Sequence, residues 1–198
     1  MPRHKSQQQR PQKLRIIGGQ WRSRQIPFVS APGLRPTGDR IRETLFNWLA
    51  ADISGARCLD LFAGSGALCF EALSRGATSC TALELDTRAT LQLRENQALL
   101  QADNLSIVQT DANHYLQHSA PEQPYHIVFV DPPFDAELHG TVCQVLNNRS
   151  WLAPGALIYC ELPVVDCAFV APANWRLLQE KRAGEVKYSL YSCIEPMA

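Results

Sequence analysis

An α/β fold on a mostly parallel sheet is predicted by three observations. Five short apolar runs alternate with helical stretches, the first run leads directly into Gly64-x-Gly66, and the chain closes on two strand-like runs around a tight turn. Near-continuous apolar runs are the pattern of strands buried on both faces, as in a parallel sheet covered by helices.

The strand candidates are 57–62 (RCLDLF), 79–84 (SCTALE), 105–109 (LSIVQ), 126–131 (HIVFVD) and 156–161 (ALIYCE). Helical windows near 67–75, 87–101, 111–118 and 136–148 separate them. Residues 175–182 and 186–193, joined at Ala183-Gly184, predict an antiparallel hairpin at the sheet edge, for seven strands in all. Ahead of this body, Ile41, Leu45, Trp48 and Leu49 fall at helical spacing from Asp39 onward, with Thr37 or Asp39 as the N-cap. Residues 13–38 predict a basic β-hairpin around Gly18-Gly19, broken after Ile26 by Pro27, Pro32, Gly33 and Pro36. Residues 1–12 are polar and aperiodic and read as a disordered basic tail. The expected division is therefore 1–12 tail, 13–38 hairpin extension and 39–198 α/β domain.

At 198 residues, 45% apolar and 19% charged, the chain has material for one good core and a small appendage. No apolar run approaches the ~18 residues a membrane span needs. The basic, glutamine-rich first twenty residues lack the apolar stretch of a secretory signal, so a cytoplasmic location is expected. Seven scattered cysteines without a C-x-x-C pair read as small buried hydrophobes in a reducing compartment. His114 and His118 stand at i, i+4 without a third ligand nearby, and no metal is expected.

The zero net charge conceals a split. Residues 1–45 carry +8 and the remainder −8, and eight of the ten basic residues in the first segment are arginine. A planar guanidinium fork matches phosphate oxygens, so the arm predicts a polyanionic partner. Arg15, Arg22, Arg24, Arg35, Arg40 and Arg42 are the candidate contacts. Trp21 would either stack on an unpaired base or cover the hairpin.

Ligands of an open α/β sheet bind beyond the carboxyl ends of the strands, so the residues after each strand carry the chemistry. Phe62-Ala63-Gly64-Ser65-Gly66 lets the backbone turn tightly and approach a ligand. Cys69 stands where the dinucleotide fingerprint needs a third glycine, which counts against a nicotinamide enzyme. Glu84 ends the second strand twenty residues after Gly64, where an acid accepts both hydroxyls of a ribose. Asp86 would cap the next helix. Asp111, followed by Ala112, would receive an adenine amino group or cap its helix. Asp131-Pro132-Pro133-Phe134 after the fourth strand is the most specific feature. Two prolines stiffen the loop, its carbonyls and carboxylate accept hydrogen bonds, and an aromatic ring stands beside them. The set suits a planar heterocycle with an exocyclic amino group.

Asp60, Gly64-x-Gly66, Glu84, Asp111 and Asp131-Pro132-Pro133-Phe134, in this order, resemble the Rossmann-like class I S-adenosylmethionine-dependent methyltransferases of amino-group type. The flanking segments 15–22 (RIIGGQWR), 34–40 (LRPTGDR) and 42–49 (RETLFNWL) are similar to one family, the 16S ribosomal RNA (guanine-N2)-methyltransferases of RsmD type, over about residues 13–195. The resemblance implies S-adenosylmethionine as cofactor, held by Asp60, Phe62, Gly64, Gly66, Glu84, Asp111 and Ala112. Asp60 would anchor the loop or the cofactor's amino group. It further implies catalysis by Asp131, Pro132 and Phe134 on a guanine of small-subunit RNA, favouring the assembled particle. Nothing demands more than a monomer. Asp-Pro-Pro-Phe alone leaves adenine, cytosine or a protein glutamine as alternative targets, and a non-catalytic RNA-binding assembly factor is the reading of another class.

Overall fold

Two apolar layers sandwich a seven-stranded sheet, and a small ribbon at the start of the chain joins one of them. The computed structural model describes residues 12–29, 38–133, 138–164 and 169–194. The ribbon pairs β1 (Gln12–Arg15) antiparallel with β2 (Gln25–Phe28). After α1 (Asp39–Trp48) come β3 (Arg57–Asp60), α2 (Ala67–Ser74), β4 (Ser79–Glu84), α3 (Thr87–Leu100), β5 (Leu105–Gln109) and α4 (Ala112–His118). β6 (Tyr125–Val130), α5 (His139–Asn148), β7 (Leu152–Pro163), β8 (Trp175–Ala183) and β9 (Val186–Cys193) complete the chain.

The sheet order is β5, β4, β3, β6, β7, β9, β8. β3 to β7 are parallel, while β9 runs antiparallel to both β7 and β8. The chain builds outward from β3 in one direction, then returns to place β6 on its other side. That reversal opens a crevice beyond the carboxyl ends of β3 and β6.

One layer packs Leu45 and Phe46 of α1, the Leu49 that caps its C-terminus, Leu68 and Phe70 of α2 and Leu93 of α3 on the sheet, together with Leu14, Ile16, Ile26 and Phe28 of the ribbon. The other holds Leu116 of α4, Val142 and Leu146 of α5, and the indoles of Trp151 and Trp175. Each buried indole finds an acceptor, Trp151 at Leu116 O (3.2 Å) and Trp175 at Asn147 Oδ1 (3.0 Å), which offsets its desolvation.

The structure fills in the ribbon and corrects the start of β7 and the cap of α1. The hairpin expected around Gly18-Gly19 is present: β1 ends at Arg15, β2 restarts at Gln25, and the connection turns from Gly19, whose carbonyl accepts the Arg22 N–H (3.1 Å). Gly19, at φ 74°, lies against α2, where a Cβ would stand 1.7 Å from Ser74 O. No side chain fits there. The ribbon also shares its core with the α/β body, which its basic composition did not suggest. β7 begins four residues earlier than the run 156–161, because Pro154 and Gly155 are carried as an exposed irregularity between the pairs Tyr125↔Leu152 and Ile127↔Leu157. At α1, Gly38 is the N-cap and Asp39 the first helical residue, while Thr37 lies outside the described residues.

Candidate active site

Asp60 sits at the end of β3 and is 1% exposed. Gly66, at φ 80°, is the N-cap of α2 and has no side chain with which to cap it. Asp60 supplies the missing cap from the strand, accepting the Cys69 N–H at Oδ2 (3.2 Å). Burial pushes its carboxyl up to about 7, against hydrogen bonds from the Phe62 and Cys69 amides and with some help from the Glu84 charge. These bonds tie the Asp60 carboxyl to the glycine loop and to the first turn of α2. A Cβ on Gly66 would meet the Phe70 ring at 2.5 Å and Leu93 Cδ2 at 2.8 Å, so glycine is required by both space and conformation.

Glu84 stands half-buried at the rim, at the end of β4. Its Oε2 accepts the Gly64 N–H (2.8 Å) and its Oε1 the Asp86 N–H (2.7 Å). The glycine loop is thus tied to the neighbouring strand, and each oxygen keeps a lone pair for a hydroxyl. A loop without side chains at positions 64 and 66, facing an oriented carboxylate, fits a nucleoside with a vicinal diol. Asp86 caps α3 through Arg88 N and Ala89 N (both 2.9 Å). Asp111 caps α4, its Oδ1 accepting His114 N (2.8 Å), and stays exposed at the rim. Ala112 turns its methyl into the second apolar layer, which leaves only its backbone for a ligand. Phe62 is half-buried on the same loop and packs against that layer.

Across the crevice, Asp131 follows β6, half-buried, with Pro132 buried and Pro133 exposed; Phe134 lies outside the described residues. Beside them the structure reveals a pair that composition gave no reason to single out. Glu161 of β7, 5% exposed, accepts the Tyr159 hydroxyl at Oε2 (2.8 Å). Burial raises the Glu161 carboxyl, an effect opposed by that hydrogen bond. Burial also lifts the Tyr159 phenol, helped by the charges of Glu161 and Asp131. The available signal was an acid ending an apolar run, the same pattern as Asp131. A pocket of about 340 Å³ opens elsewhere, among Asp52, Gly55, His126, Pro154 and Gly155. It lies at the amino ends of the strands, away from the crevice where such sheets bind ligands.

The basic arm divides in two. Arg15, Arg22, Arg24 and Arg40 are exposed, and Arg35 lies outside the described residues. Arg15 pairs with Asp39 (3.0 Å), and Arg24 donates to Leu99 O (2.8 Å). Two candidates are corrected. Arg42 is 0% exposed: it lies on the buried side of α1, donates to Arg15 O (3.0 Å) and Asp39 Oδ1 (2.6 Å), and stands 3.5 Å from Glu71. Trp21, 7% exposed, belongs to the core, so it covers the ribbon and offers no stacking face. Glu71, itself 0% exposed, also accepts the Ile17 and Gly18 amides (both 2.8 Å) and Arg75 Nε (2.7 Å). This carboxylate locks the ribbon to α2. Its hint in the sequence was a lone acid within the apolar stretch ALCFEAL. His114 and His118 stack on one another, ring centroids 4.3 Å apart, and among the described residues no three His, Cys, Asp or Glu side chains gather as a metal site.

The sheet, its switch point and the two facing halves of the crevice define a class: Rossmann-like methyltransferases that draw on S-adenosylmethionine. The comparisons agree with it. The family model described as conserved hypothetical protein 95 matches residues 14–192. The ribosomal RNA small subunit methyltransferase D of Escherichia coli K12 is 51% identical over 90% of this chain and 89% of its own length. Its Haemophilus influenzae counterpart is 44% identical over 90% and 93%. The solved structure of the Escherichia coli protein yhhF superposes with a TM-score of 0.83 at 49% identity, covering 92% of this chain and 98% of that one. The chain belongs to this family, the RsmD-type methyltransferases its segments resemble.

Proposed function

We propose that this protein methylates the N2 amino group of one guanine in 16S ribosomal RNA, within the assembled small subunit and in the cytoplasm. The observation that carries the reading is the placement of Asp131-Pro132 directly across the switch point from the Gly64 loop and Glu84. S-adenosylmethionine supplies an electrophilic methyl group on a sulfonium whose departure as a neutral thioether needs no metal.

The chain's own residues supply position and charge. Glu84 receives the ribose hydroxyls, the Gly64 and Gly66 backbone admits the amino-acid end, and the exposed rim at Asp111 meets the adenine edge. The guanine amino lone pair is delocalised into the ring and is a poor nucleophile. Accepting its two N–H groups at Asp131 and the Pro132 carbonyl favours a pyramidal nitrogen with its lone pair aimed at the methyl. Methyl transfer to that nitrogen would release the neutral thioether, and the surplus proton would leave the nitrogen along one of those hydrogen bonds. Phe134 would stack on a base that has left its own helix, and Arg15, Arg22, Arg24, Arg35 and Arg40 would grip the RNA backbone.

The test is mass spectrometry of small-subunit RNA nucleosides from cells with and without the protein, followed by labelled-methyl transfer to small-subunit particles, naked RNA and DNA. N2-methylguanosine that disappears with the protein, and transfer to particles in preference to DNA, support the reading. Unchanged N2-methylguanosine, or label entering adenine or cytosine, refutes it.

A further inference from the structure

A methyltransferase that positions an amino group still has to choose the ring that bears it, and Asp131 with Pro132 would accept the amino protons of adenine or cytosine equally well. Guanine differs in the next position along its edge. Its N1–H is a donor, where adenine N1 and cytosine N3 are acceptors. A second acceptor beside Asp131 would therefore select guanine.

Glu161 occupies that place. β6 and β7 are paired Phe129↔Tyr159 and Val130↔Cys160, so the next step along both strands brings Asp131 beside Glu161. Paired positions of a parallel ladder share a face, with strands about 4.8 Å apart. The Tyr159 hydroxyl occupies Oε2 (2.8 Å), and the His139 ring holds the Glu161 carbonyl at 2.7 Å through Nε2, so backbone and carboxylate are both oriented. Among the described residues Oε1 accepts nothing. Oε1 is not sealed off without a partner, so solvent, and hence a ligand, can reach it.

Resting on the guanine reading above, we propose that Glu161 is the specificity residue of the site, its Oε1 accepting the N1–H of the guanine whose N2 amino group faces Asp131. Tyr159 is a positioning residue acting through it.

The experiment compares guanine with 2-aminopurine, which keeps the N2 amino group but has a bare acceptor at N1. Small subunits are reconstituted with either base at the position the wild-type protein methylates, and transfer rates are measured at saturating S-adenosylmethionine. The wild-type protein should prefer guanine by about 100-fold, the value of a charge-assisted hydrogen bond gained against an unpaired acceptor facing an acceptor. In Glu161→Gln the amide oxygen takes the Tyr159 hydroxyl and the NH2 group turns to the base, a donor against a donor. Guanine transfer should fall about 100-fold while 2-aminopurine transfer holds or rises, and the ratio should collapse toward one. Tyr159→Phe, which keeps the carboxylate but frees it to rotate, should lower the ratio by about tenfold, and it decides the matter should Glu161→Gln not fold. Equal losses on both bases, with the ratio preserved, overturn the proposal and leave the guanine reading intact. A wild-type protein that methylates no guanine overturns both.

Discussion

Replacing Glu71 with alanine should unlatch the ribbon from the helix that opens on the glycine loop. Four donors converge on this buried carboxylate: the Ile17 and Gly18 amides at 2.8 Å, Arg75 Nε at 2.7 Å and Arg42 Nη1 at 3.5 Å. Removal leaves Arg42, itself 0% exposed, with Asp39 Oδ1 and Arg15 O as its remaining partners named above, and leaves two amides facing a hole. Stripping one partner from a buried ion pair costs about 3–5 kcal/mol, and an orphaned amide about 1–3 kcal/mol more. These losses overlap, because water entering the hole would satisfy part of them, so ~4 kcal/mol is the expected net. At ~2–4 °C per kcal/mol for a chain of this size, the melting temperature should fall by about 8–16 °C. Glu71→Gln keeps the volume and one acceptor and should lose roughly half as much. The assay is thermal and urea unfolding, with hydrogen exchange at Ile17 and Gly18 to locate the loss. A drop below about 1 kcal/mol, or undiminished protection of those two amides, would refute the latch.

Two further outcomes follow from the same geometry. Because the Asp60 carboxyl is held at about 7 by burial, above its ordinary value of 3.8, the folded state binds the extra proton between those limits. Stability should therefore decline as pH rises from about 4 to 7, by at most ~1.4 kcal/mol per unit, and Asp60→Asn, which still caps Cys69, should flatten the profile; urea midpoints across that range measure it. For RNA binding, the five arginines of the proposed grip (15, 22, 24, 35 and 40) at ~0.7–0.9 per phosphate predict a log–log salt slope of about −3.5 to −4.5. Alanine at any of them should shallow the slope by about one in a filter-binding titration, whereas Arg42→Ala should lower the melting temperature and leave the slope unchanged.

What could be read without coordinates was whatever is local. Glu84 and Asp131 each end an apolar run before a cap or proline, and Asp60 stands two residues short of the end of a run that leads into glycine; that punctuation marks a strand leaving the sheet at its ligand-binding edge. The seven strands and their antiparallel finish were legible for the same reason. Arg42 was misassigned because charge says nothing of burial, and one of the two acids it meets, Glu71, lies 29 residues away on another helix; for Trp21, burial decides in favour of covering the hairpin. Gly18-Gly19 has the composition of a turn, but a close approach to Ser74 O is what demands it. Pro154 and Gly155 break strands by local rules, yet β7 passes through them because β6 pairs with it both before the break, at Leu152, and after it, from Leu157. Glu161 carries the same signal of an acid ending an apolar run, but its place beside Asp131 emerges only from the register of β6 and β7.

The central claim is that Asp131 acts on the acceptor amine and not on the methyl donor. Single-turnover methyl transfer to small-subunit particles, paired with calorimetric binding of S-adenosylmethionine, separates the two in Asp131→Ala. Transfer should fall by about 10²–10³ or more while donor affinity stays within about twofold. Parallel losses in transfer and donor affinity would contradict the account.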